Sequence, residues 1–335
     1  MAQCFPTHEP DCKHEASRVN TSFFQQITGR RILHYSLARR EVSGGLRPPL
    51  AFFPSTESPA PSSMPHIRMC PPDFYGIEYE INPWMSRSRQ ADRELAARQW
   101  QALVEILKGL GVKISLLTPQ LGLPDLVFTA NAALIYKQRA ILSHFRYEQR
   151  QSEESICAEW FGANGFAVER LPEGRFFEGA GDALYCGDTL IAGYRIRSDV
   201  HAQQLVGQFT DSRVIPLELM DGHYYHLDTC FCPLAAGKAI YFPGAFDEYG
   251  RAALQELIPE LIPVAPAEAH SFACNAIVVG STVVTNTGCP NLHRNLASRG
   301  FNPIETPLSE FVKAGGSAKC LTLRLDGEEA AGWRA

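Results

Sequence analysis

The chain has 335 residues, 45% of them hydrophobic and 20% charged, with a formal net charge of −5. This is ordinary globular composition, long enough for one large domain or two smaller ones, and the acidic balance without a basic run argues against nucleic acid or anionic lipid as a partner. No apolar stretch approaches the ~18–20 residues needed to cross a bilayer, and the opening MAQCFPTHEPDCKHE lacks the apolar segment of a secretory signal. A soluble cytoplasmic protein is expected. Ten cysteines are too few for a disulfide scaffold in a chain of this size and fit a reducing compartment. Residues 1–64 have no sustained periodicity and end in the Pro/Ser-rich PPLAFFPSTESPAPSSMP, which reads as a poorly ordered extension. Within it, Ser22 to Arg40 is compatible with one short amphipathic helix of basic, targeting-peptide flavour, against which stand the acidic Glu9, Asp11 and Glu15.

From residue 65 to 335 a regular pattern sets in. A hairpin-like pair of apolar runs, a helix and a single strand recur four times: AALIYKQRAILSHF, EQRQSEESICAEWFGANG and FAVERLP are the first set, followed by sets starting at ALYCGDTLIAGYRI, CFCPLAAGKAIYFPG and CNAIVVGSTVVTNTG. A unit of this kind every ~40–60 residues signals a repeat architecture. A fifth unit can be assembled from the two ends, with the helix SRQADRELAARQWQALVEILKGLG and strand VKISLLTP joining KCLTLRLDG. Such a closure removes exposed sheet edges. The expected fold is a five-bladed, pseudo-symmetric α/β propeller of ββαβ-type units around one central cavity.

Chemistry belongs where equivalent hairpin heads converge: PDLVFTAN, FFEGAGDAL, YYHLDTCF, SFACNAI and GGSAKCLTL. These heads supply a carboxylate, a histidine with a carboxylate, and a thiol, the parts of a cysteine nucleophile with acid/base help. In YYHLDTCFC an extended backbone would turn His226, Asp228, Cys230 and Cys232 to one face. Cys320 follows GGSAK, where backbone N–H groups and Lys319 near the sulfur would favour thiolate. Taken singly, a Glu in a glycine-rich turn, a Cys in a strand and a His on a strand are ordinary capping, core and hydrogen-bonding residues. Their coincidence at equivalent repeat positions favours function. Zinc on His223, His226, Cys230 and Cys232 is disfavoured because His223 would face away from the other three. GAG lacks the third glycine of a dinucleotide turn.

FEGAGDAL, YYHLDTCFCPL, GGSAKCLTL and PDLVFTANAAL together resemble the guanidine-modifying enzymes of the pentein superfamily: arginine deiminase, dimethylarginine dimethylaminohydrolase, the amidinotransferases and the arginine dihydrolases. The resemblance spans about residues 66–328 and implies the same five-bladed fold. It assigns Cys320 as nucleophile, His226 as general acid/base, Glu178 as a carboxylate contacting the guanidinium and Asp228 as a second one. It also assigns Arg150 and Arg197 to the amino acid's carboxylate and Asn82 to the pocket near the guanidine; the ordinary alternatives are surface ion pairs for the arginines and a turn role before Pro83 for Asn82. Asn131 decides the subtype. Deiminases look to carry aspartate there, whereas arginine dihydrolases carry asparagine in a similar VFTANA context together with a motif like INPWM. The implied reaction is L-arginine plus two waters to ornithine, two ammonia and carbon dioxide through a covalent S-amidino adduct, with no metal and no cofactor. Single-round deiminase or dimethylargininase action, or amidino transfer, are the alternatives, and a catalytically silent arginine sensor is a further one. The expected partner is a guanidino or ureido amino acid, in a possible homo-oligomer. Ending at Ala335, the chain is expected to lack the C-terminal domain to which some dihydrolases look to be fused.

Overall fold

The computed structural model describes residues 64–328. The expectations for the first 63 residues, including the Ser22 to Arg40 helix, lie outside that range. Within it are five three-stranded sheets of one pattern. In the first, Ala133–Tyr136 pairs antiparallel with Arg139–Leu142, which pairs parallel with Ala167–Glu169 after the helix Glu153–Ala163. The second repeats this with Ala183–Cys186, Thr189–Tyr194 and Arg213–Glu218, the third with Phe231–Ala235, Lys238–Tyr241 and Glu260–Pro263, and the fourth with Ile277–Val279, Thr282–Asn286 and Asn302–Thr306. The two-residue turns Gly187–Asp188 and Gly280–Ser281 open with φ of +61° and +57°, the left-handed geometry that matches strand twist and favours glycine.

The fifth sheet is built from both ends of the described chain. Leu323–Arg324 pairs antiparallel with His66–Met69, in register Ile67 to Arg324, and His66–Met69 runs parallel to Lys113–Leu116 after the helix Arg93–Gly109. His66–Met69, a strand absent from the sequence reading, is what closes the ring.

The core lies between neighbouring sheets. Leu134 and Ile141 of the first pack with Ala183 and Leu190 of the second. Ile191 of the second, Phe231 and Ile240 of the third and Val283 of the fourth share one cluster. Val284 of the fourth meets Ile67 and Met69 of the fifth, and Leu323 of the fifth meets Ala133 and Ile135 of the first. Every blade thus buries both faces, which suits the nearly continuous apolar runs in the sequence. The hairpins are entered through tight turns at Thr129–Ala132, Gly179–Gly181 and Leu227–Thr229, and these turns aim polar residues at the axis.

Candidate active site

His226 and Asp228 do not share a strand face, because Leu227–Thr229 is a helical turn and the strand begins only at Phe231. The alternation of His, Asp and Cys imitates a strand where the backbone is bent. His226 faces the second unit and Asp228 the fifth. Cys230 sits in the apolar core, while the Cys232 thiol donates to backbone carbonyls of Pro233 and Ala276. His223 is half exposed, with its ring on Asp221, so the candidate zinc ligands are not gathered.

His226 Nε2 lies 2.7 Å from Glu178 Oε2, which also accepts from Arg197 Nη1 at 2.9 Å. Glu178 Oε1 takes the backbone N–H of Arg146 at 3.3 Å. Burial alone would raise the Glu178 carboxyl, but Arg197 and the His226 hydrogen bond outweigh it and hold the group well below the usual carboxylate range. Burial pushes the His226 imidazole down to about 4 against the upward pull of Glu178. An ionised Glu178 beside a neutral imidazole requires the proton on Nε2, donated to the carboxylate, with Nδ1 free to accept.

Asn131 Nδ2 approaches that Nδ1 at 3.4 Å, while its Oδ1 accepts from Arg150 Nη1 at 2.9 Å. The Arg150 contact fixes which end of the amide faces the histidine. GAG owes its form to this approach: a Cβ on Gly181 would stand 2.3 Å from Asn131 Nδ2 and 3.4 Å from the His226 ring.

Arg150 and Arg197 are buried, not surface, ion pairs. Arg150 grips Glu153 with two bonds of 2.8 Å, and Arg197 holds Glu178 and the Ile81 carbonyl. Asn82 does serve the turn before Pro83, its Oδ1 accepting from Trp84 N at 2.9 Å, and its Nδ2 reaches the Ala314 carbonyl.

Cys320 Sγ is buried, 3.4 Å from Asp228 Oδ2 and 3.1 Å from Asn275 Nδ2. Burial and Asp228 push its thiol well up, while the Ser317 N–H and Asn275 pull it down. Burial raises the Asp228 carboxyl to about 7 against the pull of Lys319 and of hydrogen bonds from Cys320 and Asn275. Lys319 does not flank the sulfur as expected: its Nζ is paired at 2.8 Å with Glu328. The loop does bring a backbone N–H, that of Ser317, to the sulfur, while its glycines serve another purpose. A Cβ on Gly315 would meet the Tyr225 hydroxyl at 2.7 Å and one on Gly316 the Phe128 ring at 2.4 Å, so both make room for the pocket's aromatic walls.

Beside these groups lies a small cavity lined by Asn82, Asp125, Asn131, Arg150, Arg197 and Cys320, with Ile81, Met85, Phe128, Tyr225 and Ala314 as apolar and aromatic walls. One of its charged residues, Arg197, holds an atom without a hydrogen-bond partner, Nε, while Asp125 lies beside the Tyr79 hydroxyl. Asp125 is hidden in the apolar run PDLVF, and Asn275 stands in SFACNAI with nothing in the sequence to give it a role. An acidic residue inside an otherwise apolar hairpin head is the available signal.

A five-bladed propeller whose cavity is lined by a thiol and two buried arginines, with an imidazole–carboxylate pair bonded to the Asn131 and Arg197 of that cavity, defines the pentein class. The chain belongs to the dimethylarginine dimethylhydrolase family: the eukaryotic N,N dimethylarginine dimethylhydrolase family model matches residues 78–326. The bifunctional arginine dihydrolase/ornithine cyclodeaminase AgrE of Nostoc sp. is 48% identical over 77% of this chain and 37% of its own length. The N(G),N(G)-dimethylarginine dimethylaminohydrolase of Mycobacterium tuberculosis is 35% identical over 77% of this chain and 84% of its own. Among solved structures, the substrate-bound N-terminal domain of ArgZ, a cyanobacterial arginine dihydrolase, superposes with a TM-score of 0.76 at 43% identity, covering 78% of this chain and 98% of that one. The chain therefore spans little more than a third of AgrE and of its Synechocystis counterpart ArgZ. No helix among the described residues is long and apolar enough to cross a membrane.

Proposed function

We propose that this chain is an arginine dihydrolase, converting L-arginine and two waters to ornithine, two ammonia and carbon dioxide. The observation that carries the reading is the amide of Asn131 between Arg150 and His226. Its oxygen is spent on Arg150, so the end turned to the catalytic histidine is a donor, suited to the oxygen of a neutral ureido group; an aspartate would offer only acceptors. The similarity to AgrE and to the ArgZ domain, both named as arginine dihydrolases, supports the same assignment.

The pocket suits an α-amino acid. Asp125, beside the Tyr79 hydroxyl, offers a carboxyl to the ammonium, and Arg197 Nε is an unpaired donor for the carboxylate, with Arg150 beside them. At rest the thiol is protonated and His226 neutral. An arriving guanidinium stays protonated and brings the positive charge that the sulfur lacks. Cys320 then attacks the central carbon, and the proton released from sulfur passes through His226 to the departing nitrogen, which leaves as ammonia. Water, deprotonated by His226, hydrolyses the S-amidino adduct and leaves a ureido group. A second round on that group releases ammonia, carbon dioxide and ornithine. Glu178, its oxygens taken by His226, Arg197 and Arg146 N–H, orients the imidazole, and any guanidinium contact comes in addition to these bonds. The chemistry uses the chain's own groups throughout, with a small molecule as partner.

Single-round dimethylargininase action is the second reading, favoured by the family match and by the Mycobacterium tuberculosis relative. A time course of arginine, citrulline and ornithine separates the two. Ornithine with two equivalents of ammonia is expected, and an enzyme that stops at citrulline refutes the dihydrolase assignment.

A further inference from the structure

Asn275, at the hairpin head of the fourth unit, is fully buried with both ends of its amide engaged. Oδ1 accepts two backbone N–H groups, from Ser317 and Cys320, each at 3.1 Å. Nδ2 donates to the Asp228 carbonyl at 3.0 Å and to Cys320 Sγ at 3.1 Å. The Lys319 N–H in turn bonds the Asn275 carbonyl at 3.3 Å. Two main-chain donors at one end of an amide require oxygen there. Nitrogen must then face the sulfur. A single side chain thus ties the heads of the third, fourth and fifth units around the nucleophile.

We propose that Asn275 is a catalytic residue of this site, the hydrogen-bond donor that fixes the Cys320 sulfur and carries its negative charge once the proton has left. The proposal rests on the reading of Cys320 as nucleophile. The sulfur is caught between unlike neighbours: Asp228 Oδ2, an acceptor at 3.4 Å, favours the thiol, and Asn275 Nδ2 favours the thiolate. The neighbouring cation, Lys319, is turned to Glu328. A neutral donor stabilises an anion without supplying a counter-charge. That suits a nucleophile, because a cation that lowered the thiol pKa further would also weaken its attack. Held by two main-chain N–H groups, the amide needs no reorganisation when charge develops on sulfur.

The test is Asn275→Asp, isosteric, in the full chain. One carboxylate oxygen keeps the two backbone bonds and the other replaces the donor by an acceptor. Iodoacetamide alkylation of Cys320 is followed against pH by mass spectrometry of its peptide. The alkylation midpoint is expected to rise by at least about one pH unit, and kcat on arginine to fall by about 10²–10³-fold, as for a lost anion-stabilising donor, with KM changed by less than about threefold. Asn275→Ser, which adds no charge, is the second variant, with a smaller rise of the midpoint in the same direction. A folded variant of either kind whose midpoint stays at the parent value overturns the proposal, whatever its activity, because a purely structural role does not move the thiol's titration. Cys320→Ser distinguishes the two levels. Turnover in that variant refutes the nucleophile assignment, whereas the alkylation midpoints read the Asn275 donor independently of turnover.

Discussion

Replacing Asp228 with asparagine tests the electrostatics of the site through stability, without requiring catalysis. In the folded protein burial raises this carboxyl to about 7, from ~3.9 in an unfolded chain. Between those values the folded state holds a proton that the unfolded state has lost, so stability falls as pH rises from about 4 to about 7. At ~1.4 kcal/mol per tenfold change in proton affinity, the full loss is about 4 kcal/mol, reached above pH 7 and absent below about pH 4. His226 runs the other way: its folded value of about 4 lies below the unfolded ~6.5, so its contribution is lost as pH falls through that window. Both proteins contain His226, so it largely cancels in the comparison. The substituted amide would be neutral throughout. Urea unfolding of parent and Asp228→Asn, measured from pH 4 to pH 8, should show the variant gaining on the parent by on the order of 2–4 kcal/mol across the range. A difference that stays flat within about 0.5 kcal/mol, or that shrinks with rising pH, refutes the picture of a carboxylate ionised at a cost beside Cys320.

Glu178→Gln removes the charge shared by His226 and Arg197 and leaves Arg197 buried without its counter-charge, so a stability loss of about 3–5 kcal/mol is expected by chemical denaturation. His226→Ala should lower arginine turnover by at least ~10²–10⁴-fold with far-ultraviolet circular dichroism unchanged, and a variant within a few-fold of the parent would show the role misassigned. Cys320→Ser should abolish turnover while Cys230→Ser and Cys232→Ser, on thiols that bond backbone carbonyls, retain it. Stoichiometric zinc lost with either of the latter two would contradict this. Asn131→Asp should accumulate citrulline, with ornithine formation falling by more than arginine consumption in a time course; equal ornithine yields from both proteins would remove Asn131 as the determinant.

The blades are legible because their information is local. Each hairpin announces itself by paired short apolar runs and a two-residue turn, and each helix by its own periodicity. His66–Met69 escapes because it is four residues long and its partners lie at Lys113–Leu116 and Leu323–Arg324, so nothing nearby in sequence marks it as a strand. The helical turn at Leu227–Thr229 escapes because a bent backbone can present polar residues at the period of a straight one. Lys319 misleads for a related reason: proximity along the chain says nothing about side-chain direction, and successive residues of that loop face Glu328 and Asp228 respectively. Asp125 and Asn275 depend on contacts distant in sequence, Asp125 with Arg150 at 4.0 Å within the first unit and Asn275 with both the third and fifth heads.

The charges in this cavity are arranged in pairs that leave the sulfur without a counter-charge. Arg150 is matched by Glu153 and Arg197 by Glu178, so neither arginine imposes an unbalanced charge on Cys320. What remains around the sulfur is a raised carboxyl, the Ser317 N–H and an amide donor. Ionising Asp228 or the thiol alone places an unpaired charge in a buried site, which is why both titrate high. A guanidinium removes that penalty for both groups at once, since one planar cation can lie against a carboxylate and a thiolate together. On the proposed reading the thiolate then forms chiefly when substrate is present. In the proposed dihydrolase reaction such an arrangement would spare a buried thiol from reaction in the empty enzyme and tie nucleophile activation to the charge of the group being attacked, whereas a neutral ureido group in the second round would bring no such charge and lean instead on hydrogen-bond donors, Asn131 at the carbonyl oxygen and Asn275 at the sulfur.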